Sequence, residues 1–156
     1  MRNELRIMNF KSLSALLRVL PKRLRFTARK TKAMLLENPL IDERAIARFL
    51  FARKRAEEWC KVFIATAKSE IYSIHYDVSH HVISVDDAAM LLEMMNKAYD
   101  DMNMALSSIS NATSEIKDST NIRDIRETIE FVEFESHQAN NASHDARMVT
   151  KRHYEL

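Results

Sequence analysis

The sequence predicts an all-α protein, an elongated helical bundle or hairpin of four to five helices with coiled-coil-like packing. Three observations carry that expectation. The chain has 156 residues, no glycine and only two prolines, where average usage would supply roughly ten glycines. Sheets, tight hairpins and left-handed helix caps lean on glycine, so its absence favours long helices joined by few turns. Apolar residues also recur at steps of three, four and seven over long stretches. At this length one domain with a real core, residues 1–156, is the expected organisation. It divides into a basic arm (1–36), a long helical hairpin (42–117) and an acidic C-terminal helix (119–156).

Residues 3–20 read as an amphipathic helix, with Phe10, Leu13, Leu17 and Leu20 at helical spacing. Pro21 must break or restart it, and a second piece is expected over 22–36. In a continuous helix Arg18, Lys22, Arg25, Arg29 and Lys32 would share one face. The stretch "ENPLIDE" (37–43) is a turn, and Asp42 can cap the helix that follows. That helix, 43–78, carries the stripe Ala52, Ala56, Trp59, Phe63, Ala67, Ile71, Ile74 and Val78. After "SHHVISVDD", Ser84 and Asp87 form a capping box for a helix over 85–117.

This third helix has the most regular pattern. Ala88, Met95, Met102, Ile109 and Ile116 lie seven apart, and Leu91, Ala98, Ala105 and Ala112 take the second seam position. Leu91, Met95, Ala98, Met102, Ala105 and Ile109 are therefore the expected helix–helix or assembly seam. Asn121 with Asp124 caps a fourth long helix, whose seam runs Ile122, Ile125, Ile129, Val132, Ser136, Ala139, Ser143 and Ala146. Its second half is small and polar, so weak packing is expected there unless a partner orders it.

Composition excludes several chemistries. Without glycine there is no P-loop, dinucleotide fingerprint or nucleophile elbow. Single Cys60 forms no internal disulfide, which suits a reducing compartment, and beside Trp59 it reads as a buried, inert thiol. His75, Asp77, His80 and His81 cluster near a turn, but their spacing fits no standard zinc site. They read as a solvated loop. No Glu-x-x-His pair of the di-iron kind occurs, and the nine methionines read as bundle filling. The expectation is a non-enzyme with no cofactor, no metal and no small-molecule substrate. No apolar run approaches a membrane span.

Charge supplies the functional lead. Residues 1–36 hold ten Lys/Arg and one acid, 37–83 hold seven of each, and 84–156 hold seven basic and fourteen acidic residues. A solvated face usually mixes signs, so the front end points to an anionic partner. Its candidate contacts are Arg18, Lys22, Arg23, Arg25, Arg29, Lys30 and Lys32. Anionic membrane and nucleic acid both qualify. Only Phe10 and Phe26 could stack bases, whereas the Leu-rich amphipathic start favours a membrane surface. The expected location is cytoplasmic and peripheral to membranes, although the Arg-rich, acid-poor opening also fits a mitochondrial presequence.

The layout resembles the ESCRT-III family of membrane-remodelling proteins. The resemblance rests on "DERAIARFLFARKRAEEWCKVFIATAKSEI" (42–71), with Ile46, Arg53, Arg55, Val62 and Ile71, and on "RETIEFVEFESHQ" (126–138), with Phe134 and Glu135. It implies a basic first helix folded on a long second one, self-association with related helical subunits on acidic lipid, and an acidic C-terminal mask. Asp124, Glu127, Glu130, Glu133 and Glu135 would form that mask. The family's ATPase-recruiting C-terminal motif is not recognisable here. Two other classes share the same features: a nucleic-acid-associated helical protein of viral or nucleoid type, and a helical adaptor with a basic targeting segment.

Overall fold

The computed structural model describes residues 2–156, with side chains from Phe10 onward. It is all-α. The elements are α1 (Arg2–Val19), a 3-10 turn η1 (Leu20–Arg23), α2 (Ala28–Leu36), α3 (Glu43–Ser79), α4 (Val85–Asp118) and α5 (Ile122–Tyr154), with no strand among the described residues. One hydrophobic cluster runs from Phe10 to Val149.

Caps fall where the sequence placed them. Asp42 accepts from the Ala45 N–H at 2.7 Å, Ser84 from Asp87 at 3.1 Å and Asn121 from Arg123 at 2.8 Å. Each supplies an oxygen to an N–H that the first helical turn leaves orphaned. The end of α3 is less expected. His81 sits at φ 58°, the left-handed region where a chain with glycine would normally place it. The Val82 N–H reaches back to the Asp77 carbonyl at 2.8 Å and that of His81 to Val78 at 3.4 Å, completing a Schellman stop.

The segment 22–36 is not one helix. Pro21 lies in the first turn of η1, and Leu24 then turns extended (φ −82°, ψ 92°) before Thr27 caps α2 by accepting from the Lys30 N–H. Proline lacks the N–H that would continue α1. The buried guanidinium of Arg53 donates to the Phe26 carbonyl and holds the extended link against α3. The single cationic face is therefore distributed over a helix end, a 3-10 turn, an extended link and α2.

Side-chain pairings give the topology. Phe10 packs edge-on to His75 with ring centroids 4.8 Å apart. At the other end the Asn38 amide donates to the carbonyls of Ile116 (3.0 Å) and Ser119 (2.9 Å). The arm α1–η1–α2 thus runs antiparallel to α3 and parallel to α4. His153 near the end of α5 meets Glu70 and Asp77 near the end of α3, so these two helices are parallel. Both the arm and α5 pack on α3 and on α4, while arm and α5 do not touch among the described residues. The cross-section is a rhombus with α3 and α4 across its short diagonal.

Every predicted core position of α4 is buried, including Leu91, Met95, Ala98, Met102, Ala105 and Ile109. These six lie inside the monomer, where no second subunit can reach them without opening the bundle. On α3, Trp59 and Val78 are only half-buried, and Ile122 on α5 is exposed. The second half of α5 differs most from expectation. Ser136, Ala139, Ala142, Ser143, Ala146 and Val149 are all buried between α3 and α4. Small side chains let α5 approach two helices at once, so many close contacts replace a few large ones.

Candidate anion-binding face

The arm presents Arg18, Lys22, Arg23, Arg25, Arg29, Lys30 and Lys32 to solvent. Among the described residues none of the seven forms an ion pair. Lys30 lies 5.2 Å from the Phe26 ring centroid, and the Arg25 backbone N–H donates to the Ser110 hydroxyl at 3.3 Å, fixing the extended link on α4. Exposed apolar residues flank these cations: Val19 is 40% and Leu36 60% exposed.

A second row of positive charge comes from α3. Lys54, Lys61 and Lys68 are exposed and lie seven apart, on one stripe of the helix. Two clefts lie between this ridge and the arm. One, of about 560 Å³, is bordered by Lys11, Arg18 and Lys68. The other, of about 350 Å³, is bordered by Arg25, Arg53 and Lys61, with Glu57 as its acid. The heptad spacing of the lysines was visible in the sequence. That α3 would set them beside the arm was not.

The acidic residues are placed elsewhere. Glu133 pairs with Arg48 on α3, and Glu127 with Arg123 at 3.0 Å. Glu130 also faces Arg48, whose guanidinium is held above its ordinary value chiefly by the Glu133 hydrogen bond. Glu135 is half-buried, and burial pushes its carboxyl up. Asp124 is exposed on the first turn of α5. Among the described residues none of the five reaches the arm, because α5 lies on the far side of the α3–α4 pair. The mask as expected, a direct cover of the basic face, is corrected on this point.

Of the histidine cluster, His80 stacks on Tyr76 (4.0 Å) and its Nδ1 lies 2.8 Å from the Tyr76 carbonyl, while His75 leans on Phe10. Asp77 instead meets His153, a residue the sequence pattern did not single out. Its Nδ1 lies 2.5 Å from Glu70 Oε1 and its Nε2 2.7 Å from Asp77 Oδ2. Glu70 is 5% exposed, and His153 is the partner that satisfies its buried oxygen. No group of three or more potential ligands for a metal ion occurs among the described residues. Burial, with Glu57 adding, pushes the Cys60 thiol up to about 11.

No helix among the described residues is long and apolar enough to cross a membrane. No family model, no curated protein and no solved structure matches the chain.

Proposed function

We propose that the chain is a non-enzymatic helical module that attaches to an anionic lipid surface through the arm and the adjoining ridge of α3. The observation that carries this reading is the exposed cations of the arm, without an ion pair among the described residues, with Val19 and Leu36 among them. Cations alone would serve nucleic acid equally well. Apolar side chains interleaved with them suit the boundary between headgroups and acyl chains. Each Lys or Arg near an anionic bilayer contributes about 1 kcal/mol, so seven suffice for micromolar attachment.

The resemblance to ESCRT-III adds lateral assembly to attachment. With the α4 seam occupied internally, assembly falls to exposed apolar residues such as Phe51, Phe131 and Phe134. Electron microscopy of the protein on vesicles tests for filaments. Attachment itself is tested by pelleting with anionic vesicles beside a nucleic-acid gel shift at matched salt. The second protein is a variant with Lys22, Arg23, Arg25, Arg29, Lys30 and Lys32 changed to glutamine. Salt-sensitive pelleting that the variant loses supports the reading. Retained pelleting, or a shift with nucleic acid only, refutes it.

A further inference from the structure

The larger cleft beside the arm has the chemistry of a specific site. Its two walls are matched helical faces. Lys11, Ser14 and Arg18 lie on α1 at steps of three and four, and Lys68, Ile71 and His75 lie on α3 at the same steps. The helices run antiparallel with Phe10 against His75, so Arg18 faces the Lys68 level and Lys11 the His75 level. A seven-residue step spans about 10 Å of helix. One end therefore gathers the Arg18 guanidinium and the Lys68 ammonium, and no acidic residue lines the cleft among the described residues. The carboxylate nearest in sequence, Glu70, is held on another side of α3 by His153.

The floor is apolar. Phe10 and Ile71, 7% and 5% exposed, form it, while Ala15 and Tyr72 line the cleft as exposed residues. A free inorganic anion has no use for such a floor, and a polynucleotide backbone would leave it uncovered. An amphiphile uses both parts: a phosphate between Arg18 and Lys68, and the first carbons of its acyl chains over Phe10 and Ile71. Arg with Lys is a common phosphate pairing, the former through a planar fork and the latter as a point charge. We infer that the cleft between α1 and α3 is a headgroup site for a phosphate-bearing lipid, so that the surface attachment proposed above, on which this rests, includes one lipid bound stoichiometrically.

Calorimetric titration of the full chain with dihexanoylphosphatidic acid, below its micellar concentration, tests this beside inorganic phosphate and a duplex oligonucleotide. Pelleting on phosphatidylcholine vesicles with and without phosphatidic acid runs in parallel. Lys68→Glu alters the site off the arm, and Ala15→Trp fills the cleft without a change of charge. The expected result is saturable one-to-one binding of the short-chain lipid, roughly tenfold weaker in each variant, with circular dichroism unchanged. If Lys68→Glu fails to fold, Ala15→Trp decides. No saturable binding of the short-chain lipid while phosphatidic acid vesicles still pellet the protein overturns the cleft and leaves the arm reading standing. Saturable binding without pelleting upholds the cleft and overturns surface attachment. Equal affinity for inorganic phosphate, or displacement of the lipid by the oligonucleotide, overturns the lipid assignment.

Discussion

Replacing Arg53 by methionine should detach the arm before it unfolds the bundle. Arg53 is 3% exposed, and its guanidinium donates to the Phe26 carbonyl and to Glu57. Hydrogen bonds to a charged group contribute roughly 1.5–3 kcal/mol each. The Glu57 side chain is 35% exposed and can rehydrate once its partner is gone, so its share is discounted. The Phe26 carbonyl has no such recourse while the link stays docked. Methionine keeps the apolar stem packed, which leaves an expected loss of about 2–4 kcal/mol. Urea unfolding followed at 222 nm gives the size, and segment-resolved hydrogen exchange gives the place. Exchange should accelerate over 24–36 at urea concentrations where α5 is still protected. A loss below about 0.5 kcal/mol, or protection lost equally in α5 and the arm, would show that Arg53 is not what ties the arm to α3.

Four further outcomes are expected. His81→Gly should raise stability by about 1 kcal/mol, since the position needs a left-handed backbone that glycine adopts without strain; an unchanged urea midpoint would contradict this. Ala142→Leu should cost about 1–3 kcal/mol by overpacking the seam of α5, read as a lower melting temperature. His153→Ala should cost about 3 kcal/mol by stranding Glu70, and adding Glu70→Gln should recover at least about 1 kcal/mol of that; simple additivity would refute the coupling. Because the folded Cys60 thiol is pushed above its ordinary value to about 11, its contribution to stability is complete below pH 9 and is lost as pH rises from 9 through 11. Cys60→Ala should flatten that fall, and alkylation of the native protein at pH 8 should be far slower than of the unfolded chain.

What the sequence made legible were the features with a local cause. Heptads in α4, side-chain caps at Asp42, Ser84 and Asn121, and proline breaks all act within a few residues of themselves. The extended link at 24–27 was missed because its cause is Arg53, 27 positions away from Phe26. The docking of α5 was underestimated for a related reason: Ala139, Ala142 and Ala146 look feeble as a stripe, and their value appears only when two other helices close on them. The candidate face was half visible. Its arm cations stand out as a run, whereas Lys61 and Lys68 lie in a stretch of mixed charge and join the face through the antiparallel arm–α3 register.

The same geometry relocates the negative pole of the molecule. Along α4 lie seven acidic and two basic residues, a net of −5, whereas α5 carries six acidic and five basic, a net of −1. The outward face of α4 lies across the short diagonal from that of α3, roughly 20 Å away at two helix spacings. That exceeds a Debye length of about 8 Å, so acids on that outward face do little to neutralise the outward face of α3. What they can do is orient the protein, since a repelled α4 turns the arm–α3 valley towards an anionic surface. Removing 119–156 would not isolate any masking effect. Ile125, Ile129, Val132 and Val149 would leave the core, a loss of about 6–12 kcal/mol at 1.5–3 each, comparable to the whole stability of a domain. The exposed faces of α3 and α4 would then adsorb to vesicles on their own account. Changing the five α5 acids to amides keeps the bundle and alters charge alone, and since they sit behind α3 and α4, lipid attachment should be indifferent to them.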